Sequence, residues 1–253
     1  MCEELIADER VSVNGEVAVL GRRVDTMVDV IAVDGVPIGA RPDFVYYLLN
    51  KPAGVVTTAS DTHGRLTVVE VVPAEPREYP VGRLDLDTEG LLLLTNDGEL
   101  AEMLTHPRYH VVKRYAAKVA PRPTLEAVEA LREGVRIGRA RTAPAYVREE
   151  RHAGGKAWFD VRIAEGRNQQ VRRMFESVGC QVEKLRREAV GPLVLGALEP
   201  GEARALSPAE VGTLREAAEA ARLGGAPVWP VRSARPRAAA RRRNDAARPR
   251  RRS

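Results

Sequence analysis

Cysteine is nearly absent: Cys2 and Cys180 are the only two in 253 residues, and neither has a His or Cys neighbour at ligand spacing. That argues against a disulfide framework and a cysteine zinc site, and fits free thiols in a reducing compartment. Long apolar runs are missing too. None approaches the ~20 residues needed to cross a bilayer, and Met1-Cys2-Glu3-Glu4-Leu5 lacks the basic region and apolar core of a secretion signal. No membrane partner is expected, and the expected location is the cytoplasm. The chain also lacks a Gly-rich phosphate cradle and a metal-ligand cluster, so neither cofactor nor metal is expected.

Charge of both signs is abundant. Lys and Arg total 40 against 35 Asp and Glu, a net +5 at pH 7. The excess is local: Arg232–Ser253 holds ten arginines and one acid, Asp245, so this segment carries +9 and residues 1–231 carry −4. With Ala, Pro and Arg dominating, Ser233–Ser253 cannot bury a core and is expected to be disordered. It would act as a nonspecific arm on a polyanion, since each arginine near phosphates can release condensed counterions. A merely solubilising tail of biased composition is the plain alternative.

Periodicity divides the rest. Residues 3–9 read as a helical fragment. Val11–Val17 alternates around Asn14-Gly15, and Asp29–Ile38 does so around Asp34-Gly35, both hairpin signals. Gly39–Asp43 reads as a linker. Val45–Leu49 and Gly54–Thr58 read as strands joined at Asn50-Lys51-Pro52, and Ser60–Arg65 as polar and mobile. Further strands are expected at Tyr109–Val119, Arg141–Glu149, Ala157–Ile163 and Val182–Ala189. Helices are expected at Glu99–Thr105, Thr124–Arg132, Asn168–Val178 and Ser207–Arg222, with Thr124 and Ser207 as caps. Strands outnumber helices and hairpins outnumber crossovers, so the fold is expected to be α+β around a mostly antiparallel mixed sheet flanked by helices.

The most informative stretch is Gly82-Arg83-Leu84-Asp85-Leu86-Asp87-Thr88-Glu89-Gly90, which runs into Leu91-Leu92-Leu93-Leu94-Thr95. Four leucines and a threonine bounded by turn residues read as a strand buried on both faces, so the acidic loop before it is held by a rigid element. Asp85, Asp87, Glu89 and Gly90 match positions one, three, five and six of a calcium loop. Position twelve is Asn96, where that loop needs a bidentate Glu. A solvated acidic turn is the other plain reading.

The phrase GRLDLDTEGLLLLTNDGEL resembles the catalytic signature of the RsuA/RluB family of ribosomal RNA pseudouridine synthases, whose essential Asp follows Gly-Arg-Leu. Three further motifs follow in the family's order: Lys113-Arg114-Tyr115 after His106-Pro107-Arg108; Glu165-Gly166-Arg167-Asn168-Gln169-Gln170-Val171-Arg172-Arg173-Met174; and Lys184-Leu185-Arg186-Arg187 before Gly191-Pro192-Leu193. Together they span residues 44 to 207. The Val11–Val24 region resembles the second half of an S4 RNA-binding domain, with its first helix missing. The organisation expected is therefore a partial S4-like α/β element at 1–38, a linker at 39–43, a catalytic domain at 44–223 and a disordered basic tail at 224–253.

The resemblance implies isomerisation of a specific uridine in ribosomal RNA, with the large subunit favoured, by a monomer that needs no cofactor. Asp85 is by this match the catalytic residue. Arg172 would hold its carboxylate ionised and oriented. Tyr115 would stack on the uracil and take part in proton transfer. Leu185 would wall the other face of the base, and Arg83, Lys113 and Arg167 would meet backbone phosphates. Two rivals remain: a noncatalytic RNA-binding or ribosome-assembly protein, and a hydrolase using Asp87 or Glu89 as a second carboxylate.

Overall fold

The computed structural model describes residues 2–223, apart from 26–27, 39–42, 59–60, 62–63 and 73–76. The arginine-rich tail and most of the 39–43 linker lie outside the described residues, as does part of the polar 60–65 stretch.

At the N-terminus a short helix, α1 (Cys2–Ala7), precedes two hairpins: β1 (Val11–Val13) with β2 (Glu16–Val17), and β3 (Ile31–Val33) with β4 (Val36–Pro37). They form one antiparallel sheet in the order β2-β1-β3-β4. Both turns work as the sequence requires. Asn14 and Gly15 have φ of 54° and 86°, and Asp34 and Gly35 have 51° and 77°, the left-handed pair that reverses a two-residue hairpin with the correct twist.

The larger body is built on nine strands. β5 (Tyr46–Lys51), β6 (Tyr79–Pro80), β7 (Thr88–Thr95) and β8 (Lys113–Ala120) come first, with helix α2 (Gly98–Thr105) between β7 and β8. Helix α3 (Leu125–Glu133) and a separate ribbon, β9 (Arg136–Ile137) with β10 (Ala140–Arg141), lead to the hairpin β11 (Tyr146–Ala153) and β12 (Lys156–Ile163). Helix α4 (Gln170–Ser177), β13 (Gln181–Val190), β14 (Leu193–Val194), β15 (Ala203–Ala205) and helix α5 (Pro208–Arg222) complete it. The sheet order is β11-β12-β8-β13-β7-β5-β15, with β14 on β13 and β6 on β7. Among the described pairings within it, only β13 with β7 is parallel, so the sheet is mixed and mostly antiparallel.

The leucine run lies in the middle, buried on both faces. Leu91 and Leu93 join the core under α2 and α5, while Leu92 and Leu94 join a second core with Leu49, Val55, Val68 and Leu84. Period-two alternation sends neighbours to opposite faces. A third core packs α3 and α4 on β8, β12 and β13 through Val128, Leu131, Val171, Met174 and Phe175. The expected helix caps are present: Thr124 Oγ1 accepts from Ala127 N at 3.2 Å, and Ser207 forms a capping box with Glu210.

Three expected strands are not formed as read, and the one expected over Tyr109–Val119 begins only at Lys113, after a 3-10 turn at Pro107–Tyr109 and a left-handed His110. Gly54–Thr58 does not pair with β5; only Val56 makes an isolated bridge, to Thr67. Its hydrogen bonds divide between Leu66 and Val68, which pair with Val56, and the loop before β7, which Gly54 and Thr57 reach. The strand expected over Arg141–Glu149 starts at Tyr146, because Pro144 has no N–H to give a ladder and Thr142 is bonded to Val135 through both its backbone and its hydroxyl. The hairpin it enters turns at Gly154-Gly155.

Candidate active site

Asp85 sits on the loop from β6 to β7, and that loop is braced from below by residues just after β5. Thr57 Oγ1 donates to Leu84 O at 2.8 Å and accepts from Leu84 N at 3.3 Å, while Gly54 N donates to Leu86 O at 2.8 Å. Lys51 is fully buried, and its ammonium donates to the carbonyls of Pro52, Leu86 and Thr88 at 2.9, 3.4 and 2.9 Å. Burial pushes the Lys51 amine down to about 8, against the opposing pull of Asp87, Asp85 and Glu89. A buried cation is tolerated only when paired or well hydrogen-bonded, and here the carboxylates sit on the same loop whose carbonyls bind it.

Above the loop is a cavity of about 270 Å³. Arg83, Asp85, Lys113, Tyr115, Arg167 and Leu185, six of the seven residues singled out from sequence, line it. They arrive from four elements: the β6–β7 loop, β8, the loop before α4, and β13. Register explains the meeting of the last strands. Tyr115 stands opposite Arg187, Ala117 opposite Leu185, and Leu185 beside Thr88, where β13 runs parallel to β7.

The segment Glu165–Gln170 is held by its own polar side chains. Buried Gln170 accepts from Arg167 N at 3.0 Å and donates to Glu165, whose other oxygen accepts from Arg167 Nε at 3.1 Å. Arg167 Nη2 also donates to Arg141 O at 2.9 Å. The guanidinium is thereby steered while its side chain stays exposed at the cavity rim.

Arg172 is the seventh residue, and its pairing differs from expectation. Its ion pair is with Asp87, at 3.0 Å, rather than with Asp85. Its Nη1 donates to Val182 O at 2.8 Å, and its buried Nε has no partner among the described residues. It still acts on Asp85 electrostatically. Burial raises the Asp85 carboxyl above its ordinary range and Asp87 adds to this, while Arg172, Arg83 and Lys51 pull it back down. One loop therefore carries two carboxylates with a cation shared between them.

Several participants carried no usable signal in the sequence. Lys51 read as part of a turn and Thr57 as part of a strand. Asp87 drew attention only as a possible calcium ligand or second acid. Arg187, buried on β13 with Nε donating to Leu91 O at 2.7 Å, belongs to a quoted motif but had no role. A long basic side chain in a strand reads as solvent-facing unless its neighbours are known.

Among the described residues, no helix is long and apolar enough to cross a membrane, and no group of three or more His, Cys, Asp or Glu could hold a metal ion.

Residues 45–177 match the family profile of RNA pseudouridylate synthase. The ribosomal large subunit pseudouridine synthase B of Bacillus subtilis is 46% identical over 221 residues, covering 86% of this chain and 90% of that protein. The protein of the same name from Pseudomonas aeruginosa is 40% identical over 228 residues, covering 85% of this chain and 57% of that protein. Among solved structures, one described as a crystal structure of pseudouridylate synthase superposes with a TM-score of 0.62 at 29% identity, covering 84% of this chain and 91% of that one.

Proposed function

The chain belongs to the RNA pseudouridine synthases of the RsuA/RluB family, and from that premise we propose that it isomerises one uridine of large-subunit ribosomal RNA to pseudouridine. The observation that carries the reading is the convergence on one cavity of a single, half-buried carboxylate, Asp85, with an aromatic ring, Tyr115, and an apolar wall, Leu185. The large subunit is favoured because two relatives covering most of this chain are named for it.

The reaction breaks the C1′–N1 bond of uridine, turns the base and rejoins it through C5, with one proton leaving C5 and one gained at N1. It needs no net redox change. The uridine must first leave its stack, at a cost of a few kcal/mol, and exposed Arg83 and Arg167 at the cavity rim are suited to grip the flanking phosphates in return. Asp85 supplies the carboxylate that starts the reaction. Tyr115 gives a flat surface on which the base turns and a hydroxyl for proton transfer. Arg172, ion-paired to Asp87 at 3.0 Å, pulls the Asp85 pKa down and so favours its charged carboxylate.

Residues 44–223 form the catalytic unit in this reading. The 1–38 element, with its two hairpins and short helix, serves as a partial S4-like RNA contact, and 39–43 links the two. The tail from 224 collects polyanion, and the protein acts as a monomer in the cytoplasm.

Mapping pseudouridine across ribosomal RNA from cells with and without the gene tests this directly. Loss of a single large-subunit pseudouridine, restored by the intact gene, is the expected result. An unchanged map with ribosome assembly impaired would favour a noncatalytic binding protein instead.

A further inference from the structure

Cations around the cavity fall into two sets by depth. Arg83 and Arg167 are exposed, whereas Arg187 is only 5% exposed and Lys113 is recessed beside it. Arg187 is fixed by its Nε bond to Leu91 O, yet its two terminal nitrogens make no hydrogen bond to any described residue. No carboxylate among the described residues forms an ion pair with it or with Lys113, and the charge acting on Lys113 is Arg187 itself. Those two nitrogens are accessible from the cavity, so a buried side chain presents free donors to whatever negative or electron-rich group enters it.

Geometry says what arrives. Arg187 stands opposite Tyr115, Leu185 lies two residues before it on the same face, and Lys113 lies two residues before Tyr115. The cations thus share a sheet face with the two side chains that would sandwich the uracil, and they lie too deep for the RNA backbone. We propose that Arg187, with Lys113 beside it, is a further catalytic residue whose terminal N–H groups donate to a carbonyl oxygen of the flipped uracil and hold the negative charge that collects there. The inference rests on the pseudouridine synthase reading of the site.

The chemistry makes the charge unavoidable. Heterolysis of C1′–N1 leaves the electron pair on the base, where it spreads from N1 onto O2 and O4. Addition of the Asp85 carboxylate to C6 would instead push the C5=C6 pair toward O4. Either route builds negative charge on a ring oxygen. Re-forming the bond from C5 to C1′ uses that electron pair, and loss of the C5 proton with gain of one at N1 restores a neutral ring. Fixed donors aimed at a developing oxyanion are already oriented when the charge appears.

Single-turnover rates and RNA affinities of full-length Arg187→Gln and Arg187→Lys, measured on large-subunit RNA transcribed in vitro, test the proposal. Arg187→Gln is expected to slow the chemical step by about 10²–10³-fold with affinity within about threefold, and Arg187→Lys to recover part of the rate. An unchanged saturated rate with weakened, salt-sensitive binding would make Arg187 a phosphate contact and overturn the proposal.

A second arm uses the unchanged protein and needs no turnover. RNA carrying 6-azauridine at the target position presents a ring that ionises near neutral pH. It should bind at least about tenfold tighter than the uridine RNA at pH 8, with the preference lost at pH 5. Equal affinity at pH 8 would sink the role of Arg187, even if Arg187→Gln failed to fold. Failure of the unchanged protein to form pseudouridine would instead count against the proposed function.

Discussion

Asp85 is held by the structure in tension. Burial and Asp87 disfavour its charge, and three cations restore it. Because the folded state raises the Asp85 pKa, stability that is fully present below the ordinary carboxylate value of ~3.9 is lost as pH rises through the raised value. Asp85→Asn should therefore melt slightly higher than the unchanged protein at pH 7, with the two curves converging below pH 4. A lower melting temperature at pH 7 would mean that the attractive partners prevail. Lys51 gives the complementary case. Lys51→Met leaves three carbonyls without their ammonium donor and should cost ~2–3 kcal/mol in denaturant unfolding. The rate should fall with RNA affinity within a few fold; retention of both stability and rate would show that the loop stands without its brace. At this scale the shared place of Asp85, Tyr115 and Leu185 in one cavity was legible, because the motifs that carry them come in a recognisable order. Lys51 and Arg187 were not: nothing local distinguishes a buried lysine or arginine from a solvated one.

Elements were legible where local chemistry decides them. Asn14-Gly15 and Asp34-Gly35 dictate their turns, Thr124 and Ser207 cap their helices, and the four leucines could only be a strand buried on both sides. Gly54–Thr58 was misread because its donors and acceptors are shared between Leu66 and Val68 and a loop some thirty residues later in the chain, demands that no local pattern reveals. β7 and β13 approach closely where they run parallel. Gly90 has φ of 108°, and a Cβ there would lie 2.2 Å from Arg187 O. Gly90→Ala should force the strands apart and move Leu185 and Arg187 with them, costing upwards of ~3 kcal/mol and most of the activity. Gly98→Ala, at the start of α2 with nothing within 4 Å of the added carbon, should be neutral or slightly stabilising. Equal effects of the two substitutions in urea unfolding would refute the close-approach argument.

Across the whole molecule, charge is divided between a body at −4 and an arginine tail at +9. Inside that acidic body the cavity gathers cations, so a polyanion can be collected at long range by one part of the chain and bound closely by another. Deleting Ser233–Ser253 should weaken RNA binding and lower the slope of log affinity against log salt by about two to five, leaving the saturated single-turnover rate unchanged. An unaltered slope would show that the tail is not an RNA arm. A slower saturated rate would mean that it shapes the site.

In the proposed reaction one carboxylate, lifted into the cavity on a braced loop, carries the isomerisation. The most direct measurement is the single-turnover yield of pseudouridine on large-subunit ribosomal RNA, with RNA affinity measured alongside, for the purified unchanged protein and for Asp85→Asn. Full conversion at one position by the former and none by the latter, at RNA affinities within a few fold, is the result expected. Comparable pseudouridine formation by Asp85→Asn would contradict it.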